Sequence, residues 1–163
     1  EAIHYLARQG RRRIAYLGQA HSITRLAGYY RALAELGISP LLIEVDDRDD
    51  EQFSAARDAA RRFAELSPRP DAVQAYSDVM ALGFIAGLHD LGISVPGEVA
   101  VIGFDDRRMA EVSWPLLTTV AQPSREVGVL AGKILLKKIA QEMRPPEGWT
   151  QTLPTRLVVR ESA

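Results

Sequence analysis

Four short apolar runs in this chain end in residues equipped for polar chemistry. Residues 14–18 (IAYLG) are followed by Gln19, His21 and Arg25. Residues 41–45 are followed by Asp46 and Asp47, residues 72–76 by Ser77 and Asp78, and residues 99–104 by Asp105 and Asp106. Carboxylates accept hydrogen bonds and an Arg fork donates them. Arg, Asp, Ser and Asp along one edge therefore suit a polar, neutral ligand rich in hydroxyls. Each position also has a structural alternative. Ser77 or Asp78 is suited to cap a helix beginning there. Residues 46–50 suit a solvated acidic turn. Arg25 falls in the first turn of a predicted helix, where the macrodipole opposes a cation, so it needs a partner. Adjacent residues at a strand end project to opposite sides, which sends Asp105 and Asp106 different ways. Asp105 directly ends the buried run and is the ligand-facing expectation.

Catalysis finds little support. Asp105 and Asp106 are neighbours on one backbone, not acids facing each other across a substrate. His4, His21 and His89 lack metal-ligand spacing, and no nucleophile elbow, phosphate loop or dinucleotide glycine fingerprint occurs. The chain has no cysteine, which excludes disulfides and thiolate chemistry. No metal or other cofactor is expected. The formal net charge of −1 argues against a basic nucleic-acid surface over the whole chain, and the run 11–13 (RRR) reads as a solvated turn before a strand. No apolar run approaches the roughly 20 residues of a membrane span. The start, without Met and already in a helical pattern, reads as the interior of a longer protein.

Periodicity predicts the elements that position these residues. Residues 2–9 place Ile3, Leu6 and Ala7 on one helical face. Residues 24–36 carry Leu26, Tyr29, Tyr30, Leu33 and Leu36 at helical spacing. Asp49 and Gln52 have capping-box spacing and open a helix over about 50–66, which Pro68 and Pro70 end. A further helix spans 78–91. Strands are predicted at 14–18, 41–45, 72–76 and 99–104. The segments LARQG (6–10), LAELG (33–37) and LHDLG (88–92) repeat Leu-x-x-x-Gly, each followed by an apolar run. This is one helix–stop–strand unit used three times. The alternation predicts an α/β fold: three layers, doubly wound, mainly parallel, with right-handed connections. Ligands bind such sheets outside the carboxyl ends of the strands. Beyond an irregular stretch at 107–117, residues 117–123 are extended. A long helix follows over about 124–142, with Val127, Leu130, Ala131, Ile134, Leu135 and Ile139 at helical spacing. A last strand falls within 152–162.

The motifs RRRIAYLG, RLAGYYRALAELGI, SDVMALGFIAGLHDLGISVPGEVAVIGFDD, PLLTTVAQPSREVG and LPTRLVVRES, in this order, resemble the LacI/GalR family of bacterial transcription regulators. Family members carry a helix-turn-helix, a hinge helix and a two-subdomain effector-binding core like that of periplasmic sugar-binding proteins. The resemblance implies that residues 1–163 are one fragment, the C-terminal part of that core. Residues 1 to about 120 match the second subdomain, and the helix at 123–142 crosses to a first subdomain that this chain lacks. It also implies that Arg25, in an R-x-x-G motif, and Asp105, in a G-F-D-D motif, contact a small, sugar-like effector. Ser77 stands where the family often has Asn, and Asp46 and Asp47 stand where many members have a stacking aromatic. His21 lies in a shortened loop. The candidate effector set is thus Arg25, Asp105, Ser77, Asp47 and His21. The implied partners are a second copy, through Leu82, Ala86, Asp90, Met109, Val112 and Ser113, and DNA, through a helix-turn-helix outside this chain. The expected protein is a cytoplasmic repressor with no membrane partner. The alternative is a periplasmic-type solute-binding protein.

Overall fold

Strands buried on both faces need helices above and below them, and the chain supplies two on each side. The computed structural model describes residues 1–19, 23–45, 51–140, 146 and 148–163. In chain order the elements are α1 (Ala2–Arg8), β1 (Ile14–Gly18), α2 (Ile23–Leu36), β2 (Leu41–Glu44), α3 (Gln52–Ala64), β3 (Ala72–Ala75) and α4 (Asp78–Asp90). There follow β4 (Ala100–Asp105), a 3-10 turn (Arg108–Glu111), β5 (Thr118–Ala121), α5 (Ser124–Ile139) and β6 (Arg156–Val158). The strand order is β2-β1-β3-β4-β5-β6. All neighbours are parallel except β5 and β6, which are antiparallel. The predicted doubly wound α/β architecture is the one observed.

Alternation along the strands divides the core in two. Ile14, Tyr16, Ala72 and Ile102 pack with Ile3 and Leu6 of α1 and with Leu26, Tyr29 and Leu33 of α2. Leu17, Val73 and Val101 pack on the other face with Ala56, Ala60 and Phe63 of α3 and Met80, Phe84 and Leu88 of α4. Phe63 and Phe84 meet edge to face at 5.1 Å between centroids. The Tyr29 hydroxyl accepts from the Leu41 N–H at 2.9 Å and lies 2.9 Å from the Ile14 carbonyl, so it ties α2 to β1 and β2. Burial pushes its pKa up to about 12.

The Leu-x-x-x-Gly repeat is a helix stop with defined hydrogen bonds. Gly10, Gly37 and Gly92 take φ of 85°, 66° and 71°, the left-handed region that favours glycine. In each case the residue after the glycine donates its N–H to the Leu carbonyl: Arg11 to Leu6, Ile38 to Leu33 and Ile93 to Leu88. This is the Schellman arrangement, and each Leu is buried. The arginine run is more than a solvated turn. Arg11 donates to the carbonyls of Pro96 and Glu98, Arg12 to that of Ala7 and Arg13 to that of Arg69, closing the loops at the amino edge of the sheet.

Several boundaries differ from the periodicity reading. β4 runs through Asp105, because Asp105 still pairs in register with Ala121 of β5. The last strand is only Arg156–Val158, the stretch that pairs with β5. Of the predicted capping box, Asp49 lies outside the described residues. Glu51 precedes α3 with no side-chain cap, and Gln52 instead accepts from the Ser77 hydroxyl. In α5 no residue is buried, and Val127, Leu135, Leu136 and Ile139 are at least half exposed. No described helix is long and apolar enough to cross a membrane.

Candidate ligand-binding site

With the order β2-β1-β3, the connections after β1 and β3 leave in opposite directions, and a crevice opens at their carboxyl ends. Arg25, in the first turn of α2, lies over it. Its guanidinium sits between the rings of Tyr76 and Phe104, 4.3 and 4.0 Å from their centroids. One amino group donates to the Tyr76 carbonyl at 2.5 Å, and the other lies 3.5 Å from a carboxylate oxygen of Asp105. Ring faces, carbonyl and carboxylate offset the unfavourable helix field at Arg25.

Asp105 closes β4. Its Oδ1 also accepts from the Gln122 side-chain amide at 2.6 Å, and its Oδ2 lies 3.7 Å from Nε of Arg107. The backbone here is unusual. Asp105 and Asp106 have φ of 115° and 56°, a region costing non-glycine residues about 1–3 kcal/mol each. The turn is held from beneath by Asp78, which is fully buried. Its carboxylate accepts from the Thr119 hydroxyl at 2.5 Å and from the Arg107 N–H at 2.7 Å. Asp106 turns away from Asp105 to Nη2 of Arg160, at 2.8 Å.

Desolvation by burial pushes the Asp78 carboxyl up from its ordinary value, against its two hydrogen bonds. The native state therefore retains a proton that the unfolded chain has already released. The stability from this group is greatest at acidic pH and falls as pH rises through the raised pKa. Asp78→Asn does not titrate. The stability of the wild type minus that of Asp78→Asn is therefore expected to decline as pH rises from the ordinary Asp value through the raised one. Urea midpoints across that range check it, and a difference that grows with pH contradicts it.

Among the sequence-predicted residues, Arg25 and Asp105 are brought together. Ser77 caps α4: its Oγ accepts from the Met80 N–H at 3.2 Å and donates to Gln52 at 3.2 Å. That hydroxyl is buried and engaged. His21 and Asp47 lie outside the described residues. Tyr76, Phe104 and Gln122 were not singled out from sequence, and Asp78 was named there only as a strand-end polar residue or helix cap. The two aromatics are the final apolar residues of their runs, and Gln122 follows β5 as the polar residues follow the other strands. The strand-end rule, extended to both, would have found them. Nothing local marks Asp78 as the buried brace. A cavity of about 570 Å³ beside the crevice is lined by Thr24, Arg25, Gln74, Phe104, Gln122 and Thr155, among others.

None of the residues expected at a dimer contact lines the cavity beside the crevice. Leu82 and Ala86 of α4 are part-exposed, Met109 and Val112 are exposed, and Ser113 donates to the Pro115 carbonyl. Asp90 pairs with Arg57 at 2.7 Å. Trp114, 88% exposed, borders a recess of about 460 Å³ that includes Leu82, Ile85, Ala86 and Val95.

An open, mainly parallel sheet with charged side chains converging at its switch point defines a ligand-binding α/β domain. The family model for the periplasmic binding protein-like domain matches residues 3–163, and the chain belongs to that family. It is 39% identical over 145 residues to the HTH-type transcriptional repressor PurR of Vibrio atlanticus, covering 85% of this chain and 42% of that protein. It is 36% identical over 167 residues to the HTH-type transcriptional regulator GalR of Escherichia coli, covering 99% of this chain and 47% of that protein. A LacI family regulator from Arthrobacter sp. FB24, solved in complex with lactose, matches at 36% identity and a TM-score of 0.87, over 99% of this chain and 60% of that one. The resemblance to LacI/GalR regulators thus extends along nearly the whole chain, and these relatives are regulators, not enzymes. The chain spans about half the length of the curated relatives it matches.

Proposed function

We propose that this chain is the effector-sensing and dimerising part of a LacI/GalR-type DNA-binding regulator in the cytoplasm. Its ligand is a small, polar, sugar-like molecule held at the carboxyl edge of the sheet. The observation that carries this reading is the approach of Arg25 and Asp105 to 3.5 Å over the β1/β3 crevice. A donor fork and a carboxylate side by side match the donor–acceptor character of a hydroxyl-rich ligand. The buried Oε1 of Gln19, at the end of β1, has no hydrogen-bond partner among the described residues and offers a further acceptor. The sugars in the neighbours' complexes, lactose, cellobiose and ribose among them, support the ligand class. Asp47 and His21 complete the candidate set; the Ser77 hydroxyl, also a candidate, is already engaged with Met80 and Gln52.

In this reading the domain supplies one wall of a cleft, and α5 carries its exposed apolar residues across to the opposing subdomain. Effector binding biases the closure of the two walls through differential affinity, and so biases a helix-turn-helix outside this chain. The surface around Leu82, Ala86, Asp90, Met109, Val112 and Ser113, with Trp114, meets a second copy. The alternative, a solute-binding protein, is less favoured because the relatives reported above are regulators.

Titration calorimetry of the intact protein with lactose, cellobiose, ribose and sucrose tests the ligand class. Binding of at least one is expected. The 163-residue chain alone should bind at least tenfold more weakly, since binding energy from the second wall is missing. Heat from none of the four would remove the sugar assignment. Light scattering is expected to give a dimer that Val112→Asp disperses, and a monomer at high concentration would remove the dimer.

A further inference from the structure

In the segment VVRES, residues 158–162, all three polar side chains are hydrogen-bonded. The Ser162 hydroxyl donates to the Val101 carbonyl at 2.6 Å and accepts from the Thr118 N–H at 2.9 Å. Glu161 accepts from the Leu116 N–H at 3.0 Å. Arg160 lies between these and the ligand edge, with only 13% of its side chain exposed. Its N–H donates to the Thr118 hydroxyl at 2.9 Å and its Nη1 to the Leu117 carbonyl at 2.8 Å. Its Nη2 reaches Asp106 at 2.8 Å and lies 3.6 Å from Glu111.

We propose that Arg160 is a positioning residue for the effector: by clamping Asp106 it fixes the left-handed turn that aims Asp105 into the crevice. Two consecutive non-glycine residues at positive φ persist only where their surroundings over-determine them. The Asp106 N–H has a long bond of 3.4 Å to the Thr119 hydroxyl. The charge-assisted bond to Arg160 is the shorter restraint, and such bonds are the stronger kind. Releasing Asp106 lets the 105–106 peptide rotate towards ordinary φ. That rotation swings the neighbouring carboxylate away from Gln122 and Arg25. The fork matters because one guanidinium spans the Leu117 carbonyl and Asp106 together, which the single ammonium of lysine does not.

The inference rests on the effector reading of Asp105, so its test has one arm that needs no ligand. The Gln122 side-chain amide donates to Asp105, and its two proton resonances in a ¹⁵N-correlated spectrum of this chain report where that carboxylate points. They are assigned by their loss in Gln122→Ser. Arg160→Met and Asp106→Ala are each expected to move them to the position of a solvated amide, with Arg160→Lys between. Should Arg160→Met fail to fold, Asp106→Ala, which removes the acceptor of the same bond, carries the same test. Resonances unmoved in the folded variants would reduce Arg160 to a structural role, whatever their melting temperatures. In the intact protein, Arg160→Met should weaken binding of a sugar that passes the calorimetric test at least tenfold, and an unchanged affinity would overturn the proposal. If none of the four sugars binds, the effector reading falls while the Gln122 resonances still decide whether Arg160 orients Asp105.

Discussion

Gly83→Val lowers the stability of the domain by about 3 kcal/mol or more. Gly83 lies inside α4, where glycine costs about 1 kcal/mol relative to alanine. It is kept there by contact. A Cβ at Gly83 would run into the backbone carbonyl of Phe53 in α3, and one at Gly87 into that of Arg57. Backbone cannot rotate out of the way as a long side chain can, so the two helices must separate. Their separation also opens the Phe63–Phe84 contact beneath. Overpacking typically costs about 1–3 kcal/mol and sometimes more, and valine adds two further methyl groups. Small domains have only about 5–15 kcal/mol in total. Gly28→Ala is the internal comparison: it is also helical, but a Cβ there meets nothing within 4 Å. It should raise stability by up to about 1 kcal/mol. Urea unfolding by circular dichroism measures both, and a folded Gly83→Val with a near-native midpoint would refute the account of helix packing.

Arg25→Ala lowers sugar affinity of the intact protein roughly 10- to 150-fold, the equivalent of about 1.5–3 kcal/mol for a lost charged hydrogen bond. The side chain is placed by four groups at once: two rings, one carbonyl and one carboxylate. Its removal takes away a donor and frees Asp105 to turn towards Arg107, 3.7 Å away. Arg25→Lys should recover little, because an ammonium cannot stack flat between two rings while donating in two directions. A melting curve separates this loss from general destabilisation. Sugar affinity unchanged in a folded Arg25→Ala would end the proposed site.

What the chain determined by itself was local. Apolar spacing separated helices from strands, and three Leu-x-x-x-Gly segments marked the stops. Their alternation led to the layered sheet and so to the edge where polar residues gather. These features are readable because each depends on residues within a turn or two of one another. The motifs added the family resemblance and, through it, the pairing of positions 25 and 105. Tertiary structure decided the rest. Only the β4–β5 register shows Asp105 inside a strand at positive φ. The buried Asp78 brace, its bond to Thr119 and the clamp of Arg160 on Asp106 join residues from separate elements. No spacing rule reports such contacts, because they are set by how strands from distant parts of the chain lie side by side. The same holds for α5: its apolar spacing predicted a helix correctly, but a periodic stripe does not say what covers it, and within this chain none of its residues is buried.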